Sequence, residues 1–457
     1  MVKRIKLHFL FLAGAVMIVA CGTPPAVSAA RDRGLPVPVE PGNADEFYRR
    51  MGLLASPPPV AFVEKTAFYA TPAADTTLVL ASISLPNQAL TFSRDGERYS
   101  APYEVHLRIT RGDAEAASIN ALEVVRVGTF REVNRSDESV IFQHFFRLTP
   151  GVYSLSVLVR DVGGARTATQ EGSLSVPRIP PTGVSTPLLV YDVTPRATLD
   201  SNPHPLASPR STAVFGRDSL VSVFLEAYGA GDRARLTYVV TNDAQERVYS
   251  DSALLSRTGS LFSGTVKIPI SSVGLGVTKL SFTRVGTSDT ASLPVFVSFG
   301  EDVPIMSFPN MVEYLRFFAP EWRLKPLRDA TPAQRASLWA AFLRDTDPIP
   351  ETSMNEALDS YFARIRQANA QFINDRNPGW LSDRGMVFVA LGEPSLVTDR
   401  TVNGGTGSDL SGTTRLQIWT YQQYRTQLVF YDDVGHWRLT RQSENDFWAV
   451  NTRRLSR

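Results

Sequence analysis

The chain has 457 residues, 47 Lys and Arg against 45 Asp and Glu, and one cysteine. A balance this close to neutral, with no basic run interleaved with aromatic residues, excludes nucleic acid as an expected partner. A single cysteine excludes internal disulfides, and His8, His106, His144, His204 and His436 lie far apart with no H-E-x-x-H spacing, so no metal or cofactor is expected.

Lys3, Arg4 and Lys6 precede an apolar run from Phe9 to Val19, and Ile18-Val19-Ala20 leads into Cys21. This arrangement resembles a bacterial lipoprotein signal: residues 1–20 would be removed and Cys21 would begin the mature chain, with diacylglycerol on its thiol and a fatty acid such as palmitate on its amine. Val27-Ser28-Ala29 offers a second reading, ordinary secretory cleavage. The apolar run is shorter than the roughly 20 residues that span a bilayer, and no later stretch reaches that length. Gly22 stands where aspartate would favour inner-membrane retention, so the resemblance implies the outer membrane of a Gram-negative cell, on its periplasmic or surface face. Several acyl chains on one residue would make that membrane a stable partner. Lipidation would consume the only thiol, leaving neither a cysteine nucleophile nor a thiolate metal ligand. Loss of the three basic residues leaves 47 − 3 = 44 against 45 acidic ones, a net charge of −1.

Residues 21–59, rich in Pro and Ala, read as a lipidated tether, extended at about 3.1 Å per residue where polyproline-like. Phe47, Met51 and Leu54 recur there at the spacing of one short helix. Over residues 60–177 short runs of alternating apolar residues predict strands at Val60–Tyr69, Thr77–Leu85, Tyr103–Ile109, Val140–Leu148 and Tyr153–Val159, an antiparallel sandwich. Within it, Leu148-Thr149-Pro150-Gly151-Val152-Tyr153 resembles the tyrosine corner of immunoglobulin and fibronectin-type sandwiches.

A connector, Pro177 to Pro181, leads to a second sandwich at 186–300, with strands at Leu188–Val193, Leu220–Tyr228, Arg235–Val240, Leu261–Ile268, Thr278–Phe282 and Leu293–Phe299. Between Asp200 and Thr212 lies a proline-containing loop, functional or disordered. Gly229-Ala230-Gly231-Asp232-Arg233-Ala234 matches G-x-G-x-x-A but opens no helix, and reads as a glycine hairpin rather than a dinucleotide site.

Residues 304–457 read as a compact α+β domain. Helices are predicted at Asn310–Phe318, after the capping box Thr331-Pro332-Ala333-Gln334, after a second box at Ser353 to Glu356, and around Phe447, Trp448 and Val450. The apolar run Met386–Leu391 reads as a central strand, followed by strands at Leu416–Tyr421, Leu428–Tyr431 and Trp437–Thr440, the last after a hairpin at Asp432-Asp433-Val434-Gly435. The two hairpin acids are solvated turn formers, with a calcium site as the sharper alternative. The fold class is thus multidomain and mainly β: two tandem immunoglobulin/fibronectin-like β-sandwiches followed by a C-terminal α+β domain.

Between the long helix and the apolar run lies Asn377-Pro378-Gly379-Trp380-Leu381-Ser382-Asp383-Arg384-Gly385, and after the run Gly392-Glu393-Pro394. This part resembles the GWxTD domain of Gram-negative envelope proteins, Gly379, Trp380 and Asp383 matching and Ser382 replacing threonine while keeping its hydroxyl. Arg344-Asp345 with Pro348 and Asn355, and Trp419 with Tyr421, support the resemblance. It implies an envelope location and β-rich segments upstream; the family has no established activity and no assigned catalytic residues.

Two roles fit the motif. In one, Gly379 takes a positive φ, Trp380 plugs the helix–sheet gap, Ser382 and Asp383 bond the turn entering the strand, and Arg384 pairs with Asp383 or Glu393. In the other, Trp380, Asp383, Arg384 and Glu393 flank a pocket, with Gly392, Pro394 and Trp419 nearby and Thr398–Thr414 as a glycine-rich lid. No G-x-S-x-G elbow is present. The expected function is a non-enzymatic binding or scaffold module for an envelope protein or polymer, captured in the motif pocket or on exposed sandwich edges. The alternative is an envelope hydrolase of glycan or peptide, with Asp383 and Glu393 as acid and base.

Overall fold

The computed structural model describes residues 44–135, 139–299, 308–351, 355–376, 378–403 and 413–456. Cys21, Ser353, Asn377 and the glycine-rich stretch 404–412 lie outside the described residues, all of which belong to the unit from Val39 onward.

The first sandwich uses β1 (Leu54–Ser56), β2 (Phe62–Ala70), β3 (Thr77–Leu85), β4 (Ser93–Asp95), β5 (Arg98–Arg111), β6 (Ala114–Val127), β7 (Val140–Leu148), β8 (Gly151–Asp161) and β9 (Arg166–Val176). One sheet is ordered β1-β2-β3-β7; the other is β4-β5-β8-β9, with β6 added along β5. Alternating residues of both sheets, including Val79, Ile83, Val105, Leu107, Val157 and Val159, enclose its core. The tyrosine corner is present: the Tyr153 hydroxyl donates to the Thr149 carbonyl at 2.8 Å. The edge strand β6 escaped the sequence reading because most of its residues are exposed, so it carries little apolar alternation.

The second sandwich is one folded nine-stranded sheet. Its strands are β10 (Leu188–Thr194), β11 (His204–Ala207), β12 (Thr212–Val214), β13 (Leu220–Ala227), β14 (Arg233–Asn242), β15 (Arg247–Thr258), β16 (Leu261–Pro269), β17 (Gly276–Arg284) and β18 (Thr290–Ser298). Their order is β11-β10-β13-β16-β15-β14-β17-β18-β12. β15 and β16 pair over only three residues at their turn, so the ladder opens there and its two halves enclose a core. Two readings are corrected. Gly229–Ala234 is not a hairpin, since β13 and β14 are separated by β16 and β15; it is a crossover, with Gly229 and Gly231 at φ +115° and +107°. The 200–212 loop carries β11 and the start of β12 and docks on the first sandwich, where Gln143 bonds the Pro205 carbonyl and the Ala207 amide.

The two sandwiches share a buried interface. On β2, Phe62 enters the first core while Ala67 and Tyr69, on the opposite face, pack with Leu78, Leu188, Val190 and Phe224. At its edge Arg196 and Glu226, both fully buried, pair at 2.8 Å. Arg196 also donates to the Ala70 carbonyl at 2.7 Å, and the Tyr228 hydroxyl bonds both Glu226 and the Ala70 amide. A helix α1 (Ala44–Arg50) packs beside this junction, Phe47 edge-on to Phe296 at 5.0 Å, so residues 44–59, expected to be part of the tether, belong to the folded body; residues 21–43 lie outside the described residues.

Glu64 lies on the core face of β2 with Phe62, fully buried, and its Oε1 bonds nothing. Burial pushes its carboxyl up to about 8, against a smaller opposing pull from Lys65. The folded state therefore holds a proton that the unfolded chain releases above about pH 4.5. Stability from this group is complete below that pH and is lost as pH rises through about 8. Glu64→Gln should flatten the fall in stability over this window and exceed the wild type at its upper end, as measured by urea unfolding across pH; parallel curves for the two proteins would refute the assignment.

Two short helices lie within the sandwiches, α2 (Phe130–Val133) in the first and α3 (Ile270–Val273) in the second; after the second sandwich come α4 (Phe308–Tyr314), α5 (Glu321–Arg328), α6 (Pro332–Thr346), α7 (Glu356–Gln371), α8 (Asp383–Leu391) and α9 (Arg441–Leu455). A four-stranded antiparallel sheet is ordered β19 (Leu396–Asn403), β20 (Thr413–Tyr421), β21 (Thr426–Asp433) and β22 (His436–Leu439). No helix among the described residues is long and apolar enough to cross a membrane. The α+β part is not a separate bead: Trp339 of α6 donates its indole N–H to the Phe299 carbonyl at 3.2 Å, and one apolar cluster runs from Val184 through Phe299 and Trp339 to Phe447.

Candidate functional site

The motif sits at the start of α8, which corrects the central strand expected at Met386–Leu391. A run of six apolar residues fits a buried strand or a buried helix equally well, and here the ends decide. Ser382 is the N-cap: its hydroxyl accepts from the Gly385 amide at 2.9 Å and donates to the Gly379 carbonyl at 2.7 Å. Gly392 closes the helix at φ +82°. Residues Val387 to Leu391 are all buried, because α7, α9 and the sheet enclose α8. The expected lid at Thr398–Thr414 is corrected too: its described residues belong to β19 and β20, paired from Leu396↔Thr420 to Asn403↔Thr413.

Gly379 opens a 3₁₀ turn over Gly379–Leu381 and does not take the positive φ anticipated for it. It is needed for close approach: a Cβ there would meet the Ala368 carbonyl oxygen of α7 at 2.5 Å, and one on Gly385 would meet the Gly379 oxygen at 2.0 Å. The Trp380 amide donates to Asn369 Oδ1 of α7 at 2.9 Å. Its ring is fully buried, stacked on Tyr314 at 4.6 Å with the Arg316 guanidinium 4.9 Å from the ring centre, and its indole N–H makes no hydrogen bond. Asn355 ties α6 to α7, capping the Leu358 amide while donating to the Leu343 carbonyl. Ser382→Ala should cost about 1–2 kcal/mol through loss of the cap, while Ser382→Thr, restoring the family residue, should stay within a few tenths; chemical denaturation measures both.

The candidate acid and base do not meet. Asp383 Oδ2 accepts the Leu439 amide at 2.8 Å, tying the start of α8 to the end of β22. Glu393 lies exposed beyond the other end of α8, reaching Gln367 at 3.4 Å. The nine residues of α8, from Asp383 to Leu391, span about 13.5 Å at 1.5 Å per residue, beyond the roughly 5–9.5 Å of a glycosidase pair. Arg384 pairs with neither; it bonds Asp375 through two contacts of 2.6 and 2.9 Å. Its guanidinium lies 5.2 Å from both the Phe372 and Trp437 rings. Gln417 joins this group to Trp419, accepting from Arg384 at 3.3 Å and from the Trp419 indole at 2.9 Å. Pro394 follows the helix stop, and Tyr421 fixes the Gly392 carbonyl at 3.0 Å. Asp432 accepts the Gly435 amide and Asp433 pairs with Arg438 at 2.8 Å, so the hairpin acids form a turn. Among the described residues no three His, Cys, Asp or Glu side chains are grouped to hold a metal.

What the motif reading missed is a cleft of about 370 Å³ on the helical side, between the turn before α5, the end of α6, α7 and the end of α9. Arg323, Arg364 and Arg454 line it with Ser360 and Thr346, and no lining residue is acidic. The one signal for it in the sequence is the row Ala357, Ser360, Arg364, at helical spacing beside the buried stripe of Leu358, Tyr361 and Ile365.

The family model described as GWxTD domain matches residues 285–449, which takes in β18 as well as the α+β part. No curated relative matches the chain. Similar solved structures are dimeric latent PorU from Porphyromonas gingivalis (12% identity, TM-score 0.24, 51% of this chain and 20% of that one) and trypsin-activated alpha-2-macroglobulin from Escherichia coli (13%, 0.18, 52% and 16%). The fibronectin(III)-like modules of Clostridium thermocellum CbhA align at 13% identity and TM-score 0.14 over 51% of this chain and 94% of theirs. The chain spans a fifth or less of the first two structures. By its motif, and by the match that surrounds it, residues 285–449 of this chain are a GWxTD domain.

Proposed function

We propose that the chain is an outer-membrane lipoprotein, anchored through Cys21, whose sandwiches carry the GWxTD domain as a non-enzymatic binding module for an envelope protein or polymer. The observation that carries the non-enzymatic reading is the separation of Asp383 and Glu393 at opposite ends of α8, with Asp383 committed to a backbone amide. Supporting it, Gly379, Trp380, Ser382 and Arg384 are engaged in holding α7, α8 and the sheet together.

The Cys21→Ser variant should leave the detergent phase and the membrane fraction; an unchanged partition would overturn the anchor. Cross-linking and pull-down of the lipidated protein from native envelope should return a saturable partner. Cleavage of envelope glycan or peptide that disappears in Asp383→Asn or Glu393→Gln would overturn the binding-module reading.

A further inference from the structure

We propose that the cleft formed by Arg323, Arg364 and Arg454 is an oxyanion site that takes a phosphoryl group carried on a small apolar body. This goes beyond the binding-module reading and stands whether or not the chain is lipidated. Each guanidinium is held from behind by backbone: Arg364 Nε donates to the Val389 carbonyl at 3.0 Å and Arg323 Nη1 to that of Asp345 at 3.0 Å. Arg454 donates through Nη2 to the Phe317 carbonyl and to Asn451 at 2.9 Å, while its buried Nε bonds nothing. These ties use a minority of the five N–H donors on each guanidinium and fix its plane, which is preorganisation for a multi-oxygen anion.

None of the three forms an ion pair among the described residues. Burial holds Arg364 and Arg454 below the usual guanidinium range against smaller opposing pulls from Tyr424 and Tyr361, and Arg364 adds a minor lowering of Arg454. Two desolvated cations lining one cleft that has no acidic lining residue are a cost that a bound anion offsets. A phosphomonoester, at roughly −1.5 to −2, balances this charge better than a single carboxylate. The Ser360 hydroxyl adds a polar contact, and Phe318, Ala319, Pro320 and Ala357 make the wall for the apolar part.

The test is calorimetric titration of the full-length protein in non-ionic detergent with phenyl phosphate, inorganic phosphate, benzoate and dihexanoyl phosphatidic acid. Phenyl phosphate should bind at least about tenfold tighter than benzoate, and Arg364→Gln, Arg454→Gln and Arg323→Gln should each weaken it about tenfold or more. Arg400→Gln, on exposed β19, should bind as the wild type does. If circular dichroism shows that the Arg364 or Arg454 variant is unfolded, Arg323→Gln decides, since the one hydrogen bond of its side chain among the described residues is to the Asp345 carbonyl. Tighter binding of dihexanoyl phosphatidic acid than of phenyl phosphate identifies a lipid headgroup as the source, and the reverse a soluble ester. No binding up to about 20 mM, benzoate equal to phenyl phosphate, or wild-type affinity in the folded arginine variants overturns the site.

Discussion

Glu226→Ala is expected to destabilise the folded chain by about 3–5 kcal/mol, because it leaves the Arg196 guanidinium buried without its counter-charge. Arg196 and Glu226 are fully buried, and burial alone would lower the arginine; the hydrogen bonds and charge of Glu226 outweigh it and raise it instead. The loss extends beyond one pair. Glu226 also accepts from Tyr228, whose hydroxyl in turn receives the Ala70 amide of the first sandwich, so the substitution unties both sides of the interface. Urea unfolding followed by tryptophan fluorescence and by limited proteolysis should show the first sandwich loosening at lower denaturant. Arg196→Met combined with Glu226→Leu should recover most of the loss, since a buried pair replaced by apolar groups is often neutral or better. A loss below about 1 kcal/mol for the single variant would mean that water reaches the pair.

Trp380→Ala should cost about 3–5 kcal/mol, the range for removing a large buried aromatic. The ring fills the space between Tyr314, Phe317 and the Arg316 guanidinium, and its amide is anchored to Asn369, so the surrounding backbone cannot collapse into the void. Trp380→Phe separates volume from polarity. Because the indole N–H bonds nothing, that change should cost well under half as much. Thermal and denaturant unfolding measure both. A Trp380→Ala protein of unchanged stability that no longer captures its partner would move the residue from core to binding surface.

Much of the β architecture was legible because strands buried on one face alternate with period two: β7 begins and ends at the residues where its apolar alternation does. β6 and β15 were missed for the converse reason, since both are largely exposed and present little apolar pattern. The strand expected at Met386–Leu391 failed because burial on every side erases periodicity, and the hydroxyl of Ser382 was the better clue. The site was legible in part: Trp380 as a core plug followed from its type and place. The partner of Arg384 did not, since Asp375 lies nine residues upstream in a turn whose direction only packing fixes.

By itself the sequence determined the alternation that makes two sandwiches and the motif that marks the GWxTD domain, because these depend on local composition, period and order. Tertiary structure alone decided three things: that Asp383 and Glu393 stand at opposite ends of one helix, that the sandwiches are locked through Arg196 and Glu226, and that three arginines from α5, α7 and α9 line one cleft. Each is a relation between side chains brought together or held apart by packing, and no spacing along the chain encodes it.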